Sequence, residues 1–184
     1  MANPPPFMKR APGMPETEFL ELSWEFFGEL CRVLAVKVST AGYKPELVIG
    51  IAKAGVIPGA VVASILQCDF FSLKISRDSG GDRPRSRPRI LSAAPSDARG
   101  KRVLVVDEIC TSGETLRIAL NALRQVQPAE TATATSLVKQ GGFRPDFFAL
   151  ETGASVIFPW DRQIVNEAGQ VVTNPLYEGF IEEG

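Results

Sequence analysis

A chain of 184 residues, 45% hydrophobic and 22% charged, is long enough to bury a full core in one domain without metal or disulfide support. It contains no histidine, which excludes Ser-His-Asp catalysis and histidine general bases, and its three cysteines form no CxxC pair for zinc. The net charge of −1 is unevenly spread: residues 74–102 hold nine basic residues against three acids, a local +6, so the rest of the chain carries −7.

The first 18 residues are rich in proline and lack the unbroken apolar core of a signal peptide. They read as a disordered leader to a domain over residues 19–184, and the chain is expected in the cytoplasm. From Leu20 to Val38, apolar residues recur at helical spacing, with Ser23 as a candidate N-cap and Glu25 as an acid in the first turn. Tyr43-Lys44-Pro45 punctuates the chain, and Leu47 to Ile51 reads as a buried strand. Lys53, Ala54 and Gly55 follow, before an apolar helix from about Ile57 to Leu66. A cation and exposed N–H groups thus stand at a strand end, an arrangement that suits phosphate. A strand is expected from Phe70 to Ser76. The stretch from Arg77 to Arg99 is full of Gly, Pro, Ser and Arg and is expected to be a flexible loop.

Residues 103–116, VLVVDEICTSGETL, carry the most information. Val103 to Val106 is an apolar run of the kind that fills a parallel strand buried on both faces. Asp107 and Glu108 come next, at the strand end where α/β sheets meet their ligands, placed for hydroxyls or a hydrated metal ion. Thr111, Ser112, Gly113, Glu114 and Thr115 then open a helix expected from Thr115 to Val126, whose N-terminal N–H groups attract phosphate. Cys110 lies in this loop, yet without histidine it lacks the usual activating base of a nucleophile. Beyond it come strands at Ala132 to Leu137, ending at Val138-Lys139, at Phe147 to Leu150 and at Val156 to Ile157. Pro159-Trp160-Asp161 closes the core, and the tail from Gln163 is expected to pack along one edge.

An apolar strand, two acids, three variable residues, a hydroxyl residue with Gly, one variable residue and Thr is a pattern that resembles the PRPP-binding signature of the type I phosphoribosyltransferases. Glu108 is the second acid here and Ser112 replaces the usual Thr. The resemblance extends to Lys53-Ala54-Gly55, where the family carries an Arg-Gly-Gly or Lys-Gly-Gly loop for the pyrophosphate. It covers most of residues 20–162, with the xanthine-guanine and hypoxanthine enzymes most alike through Ser23-Trp24, Lys139 and Phe158 to Asp161. It implies an α/β fold with a mostly parallel, twisted central sheet flanked by helices, a small hood over about 147–184 and a flexible loop over about 77–99. It also implies a PRPP-dependent transferase that uses Mg²⁺ and passes a 5-phosphoribosyl group to a purine or purine-like base.

On that resemblance Lys53, Ala54, Gly55, Asp107, Glu108, Thr111, Ser112, Gly113, Glu114 and Thr115 bind PRPP. Asp107 and Glu108 hold the ribose and the metal, directly or through water, and with Lys53 form the catalytic group. Lys139 meets the base, beside a backbone carbonyl of Ile157 or Phe158. One of the arginines Arg83, Arg85, Arg87 and Arg89 approaches the pyrophosphate on loop closure. Two positions depart from the purine pattern: Thr111 stands where an aspartate handles the base N7 proton, and Ser155 where an aromatic stacks. A threonine hydroxyl is no general base near neutral pH, and a lost stack removes about 1–3 kcal/mol. The acceptor is therefore open, and a regulatory protein that binds PRPP or a nucleotide without turnover is the alternative. The expected partners are PRPP, a nucleobase-like acceptor and further copies of the chain, with no membrane. Nucleic acid is disfavoured because no aromatic is interleaved with the arginines.

Overall fold

The computed structural model describes residues 8–10, 18–76 and 89–181, and these fall into two compact units. One unit takes the described residues of Met1–Phe27 with Gly153–Gly184, and the other is Gly28–Thr152. In chain order the strands and helices are β1 (Met8–Arg10), β2 (Glu18–Glu21), α1 (Trp24–Thr40), β3 (Leu47–Ala52), α2 (Val56–Leu66), β4 (Asp69–Ser76) and β5 (Arg89–Ile90). They continue with β6 (Arg102–Cys110), α3 (Glu114–Arg124), β7 (Glu130–Lys139), β8 (Phe147–Thr152), β9 (Ser155–Ile157), β10 (Gln163–Val165) and β11 (Val171–Thr173).

The larger unit is built on a six-stranded sheet of order β5-β4-β3-β6-β7-β8, parallel throughout except for the edge strand β5. Chain order runs outward from the centre in both directions, so the right-handed crossovers through α2 and α3 put these helices on opposite faces. The side chains agree. Ile49 and Ile51 of β3 pack in one cluster with Leu116, Ala119 and Leu123 of α3. Gly50, between them, faces the other way, where a Cβ would meet Gly55 O at 2.8 Å and the Phe70 ring at 3.1 Å. Gly59 of α2 makes the same approach, its Cβ position lying 3.0 Å from Gly50 Cα, so two glycines let helix and strand backbones close on each other. An open parallel sheet wound in both directions has its ligand crevice where the winding reverses, here between β3 and β6.

The ladder between β3 and β6 ends at Gly50–Val106, while β6 stays paired with β7 as far as Cys110–Val138. Strand β6 is thus longer than the apolar run foretold, because its partner β7 carries it through both acids. Helix α3 is amphipathic, burying Leu116, Ala119 and Leu123 and exposing Arg117, Asn121 and Arg124. Helix α2 carries no charge, and its Pro58 lies in the first turn, where a missing N–H costs nothing.

The other unit holds a three-stranded sheet of order β1-β2-β9, with β9 parallel to β2, and the hairpin β10–β11. Leu20 and Glu21 belong to β2, so the first helix starts later than its periodicity foretold. Ser23 caps it as expected: the Phe26 N–H donates to Ser23 Oγ at 3.2 Å. Strand β1 falls within the stretch read as a leader, and β8 belongs to the six-stranded sheet and not to the C-terminal region grouped with it. Of the stretch 77–99, residues 89–99 are described: β5 pairs with Ile75 and Ser76, and Ala98 is buried. Arg83, Arg85 and Arg87 lie outside the described residues. Among the described residues, no helix is long and apolar enough to cross a membrane.

Candidate functional site

The two loops singled out in the sequence leave neighbouring strands and meet. The first, Lys53-Ala54-Gly55, follows β3 and begins with a cis peptide between Ala52 and Lys53. Its backbone folds back on itself, with the Val56 N–H donating to Lys53 O at 3.2 Å and the Ile57 N–H to Ala54 O at 3.1 Å. Gly55 has ordinary helical angles, φ −65° and ψ −11°, so its lack of a side chain serves closeness and not backbone freedom. A Cβ there would stand 2.7 Å from Asp107 Oδ1, 2.7 Å from Ile51 O and 2.9 Å from Asp107 Cα. The loop thus rests on the acid that β6 supplies.

Asp107 is 8% exposed, and its Oδ1 accepts the Glu108 N–H at 3.0 Å. Glu108 is half-buried and is the more open of the pair. Among the described residues no third acid, cysteine or histidine joins them in a metal-holding group. Two hard carboxylates without a closed cage suit a magnesium ion held jointly with water and substrate oxygens, and Asp107 and Glu108 are the residues that would hold it.

The second loop, Thr111-Ser112-Gly113, leads from β6 into α3. Gly113 caps the helix with φ +73°, the left-handed region that favours glycine, and the Glu114 N–H donates to Ser112 Oγ at 3.4 Å. Thr111 and Ser112 are exposed, and Glu114 and Thr115 are half-buried. The loop leans on the segment after β7. The Phe143 N–H donates to Thr111 O at 2.7 Å, a Cβ on Gly142 would strike Thr111 O, and one on Gly113 would strike the Phe143 ring. Phe143 was not singled out from sequence. The Gly141-Gly142 pair before it is the signal that marks such a close backbone approach.

Lys139 ends β7, and the pairing of Cys110 with Val138 sets it one step on, beside Thr111. It is half-buried, and burial lowers its ammonium pKa from the usual lysine value. Ile157 and Phe158 lie in the other unit and are buried. Ile157 O accepts the Leu22 N–H at 3.0 Å, and Phe158 O accepts the Asp161 N–H at 3.0 Å. Phe158 stacks on Trp160 with centroids 4.7 Å apart, and Ser155 is a half-buried residue at the start of β9. Burial pushes the Cys31 thiol up to about 11, and Cys110 is 3% exposed, the setting of inert thiols.

Residues 22–168 match the phosphoribosyl transferase domain family. The chain is 22% identical over 151 residues to the xanthine-guanine phosphoribosyltransferase of Gluconobacter oxydans, covering 80% of this chain and 88% of that one. It is 29% identical over 111 residues to the transcriptional regulator GfcR of Methanococcoides burtonii, covering 60% of this chain and 53% of the regulator. Among solved structures, the purine phosphoribosyltransferase from Pyrococcus horikoshii aligns over 81% of this chain and 98% of its own, with TM-score 0.68 and 25% identity.

Proposed function

Since the chain belongs to the phosphoribosyl transferase domain family, we propose that it moves a 5-phosphoribosyl group from PRPP to a purine or purine-like base and releases pyrophosphate. The observation that carries this reading is the seat of Gly55 on Asp107, which puts the cation-bearing loop after β3 against the acids of β6. Lys53 and the N–H groups of its loop receive the pyrophosphate, and the loop from Thr111 to Thr115 receives the 5-phosphate at the start of α3. Glu108, the open acid, and Asp107 accept hydrogen bonds from the ribose hydroxyls and favour the positive charge that grows at the anomeric carbon. When bound, magnesium neutralises charge on the departing pyrophosphate. Lys139 donates to an oxo group of the acceptor. The cytoplasm is the proposed location, and a homo-oligomer the proposed assembly.

Thr111 offers no general base beside Lys139, which favours acceptors whose nitrogen already carries a labile proton or a free lone pair. The test is pyrophosphate release from PRPP and Mg²⁺ against a panel of purines, pyrimidines and simple amines. Release with a purine or purine-like base supports the reading, and release only with another class moves the acceptor. PRPP binding with no release for any acceptor would favour the second reading, a regulator that senses PRPP or a nucleotide. The likeness to GfcR and the threonine at position 111 support that alternative.

A further inference from the structure

The crossovers from β3 to β4 and from β6 to β7 each carry a helix, but β7 and β8, also parallel, are joined by residues 140–146 with none. The flank of α3 that a crossover helix would cover faces a loop of turns and bends instead. Between them lies a cleft of about 580 Å³, within the range of small-ligand sites. Its apolar part is Leu116, Leu120 and the half-exposed ring of Phe143, and its cations are Arg117, Arg124 and Arg144.

Two acids also line the cleft, so its three arginines outnumber its carboxylates by one. Asp146 turns Oδ2 to the Thr133 N–H and hydroxyl, each at 2.7 Å, and Glu114 stands at the helix start where the dipole already holds it. Arg144 pairs with Glu151, and Arg124 donates to Asn121 Oδ1 at 3.1 Å, whereas Arg117 enters no ion pair among the described residues. Arg117 and Arg124 stand two turns apart on one helix, about 10 Å of rise, and Arg144 lies on the facing segment; these are cations for the phosphates of a diphosphate, and a flat ring is what the Phe143 face and Leu120 would accept.

We infer that this cleft is a second ligand site, separate from the crevice between β3 and β6, and that it takes a nucleoside diphosphate with its phosphates on Arg117 and Arg124 and its base against Phe143. The cleft and the phosphate loop share a wall, since Ser112 and Gly113 also line it. This inference rests on the proposed reading only in naming the crevice as the first site.

The test is calorimetric titration of the full chain with ADP, GDP and inorganic pyrophosphate. Two equivalents of nucleoside diphosphate per chain are expected. Arg117→Ala with Arg124→Ala, both at exposed positions where alanine keeps the helix, removes one equivalent or weakens it at least about tenfold. Asp107→Asn with Glu108→Gln spares that equivalent. Phe143→Ala lowers affinity for ADP and GDP but not for pyrophosphate. A single equivalent abolished by the Asp107 and Glu108 changes would overturn the inference, as would a second equivalent unmoved by loss of both arginines. Binding of pyrophosphate as tight as that of ADP would remove the base from the proposal. Failure of the acceptor panel alongside an intact second equivalent would strike the transferase reading alone.

Discussion

The loops after β3 and β6 both need a glycine, for different reasons. Gly55 sits at φ −65°, a conformation open to any residue, and is required because backbone and a carboxylate crowd its Cβ position. Gly113 sits at φ +73° and is crowded by a side-chain ring, so it is required first by conformation and only second by space. The first loop is held by immovable neighbours and the second by one that can turn aside. Rigidity at the candidate site is therefore unequal.

The largest effect should come from cutting the floor that the first loop rests on. Asp107→Asn with Glu108→Gln is expected to weaken PRPP binding at least about 100-fold, since each charged hydrogen bond is worth about 1.5–3 kcal/mol. Unchanged affinity in a direct binding measurement would detach both acids from the ribose. Gly55→Ala comes next. Its Cβ meets backbone closer than 3.0 Å on two sides, so a loss of about 3 kcal/mol in urea unfolding is expected, together with loss of turnover. Gly113→Ala should cost less, about 1–2 kcal/mol for the left-handed backbone plus a steric part. Adding Phe143→Ala to it should restore the steric part and leave the backbone part. If the double variant recovers nothing, the contrast between the two loops is wrong.

Some of this was legible and some was not, for reasons that lie in range. The Ser23 cap, the Lys53 loop and the run from Asp107 to Thr115 are local patterns, and each acts on backbone within a few residues. Leu20 and Glu21 share the helical periodicity yet are strand, because the pairing partner of β2 is β9, more than a hundred residues away, and nothing in those two residues announces it. Asp107 to Cys110 are strand because Thr135 to Val138 pair with them, against their own polarity. Phe147 to Thr152 join the main sheet for the same reason, through Ala134 to Lys139. The contact of Phe143 with Gly113 is written in no periodicity, although two glycines mark the approach.

The smallest effect expected is a matter of pH at Lys139. Burial lowers its ammonium pKa, so the charged donor is lost as pH rises through a value under the ordinary lysine figure of about 10.4, and acceptor use falls with it. In the interval between those two values the unfolded chain binds more protons than the folded one, so stability climbs with pH there. Lys139→Ala should remove both slopes while PRPP affinity is retained. A pH profile identical to that of the unaltered chain would take Lys139 out of the acceptor site.

The parting of β3 from β6 beyond Gly50 and Val106 has a mechanical meaning. Four residues, about 13 Å at 3.3 Å per residue, run on with one edge open while the other edge stays stitched to β7. The crevice is a slot cut part-way into a continuous fabric. An occupant of such a slot meets walls already in place, so its affinity reports the contacts it makes and little of the expense of ordering the protein around it.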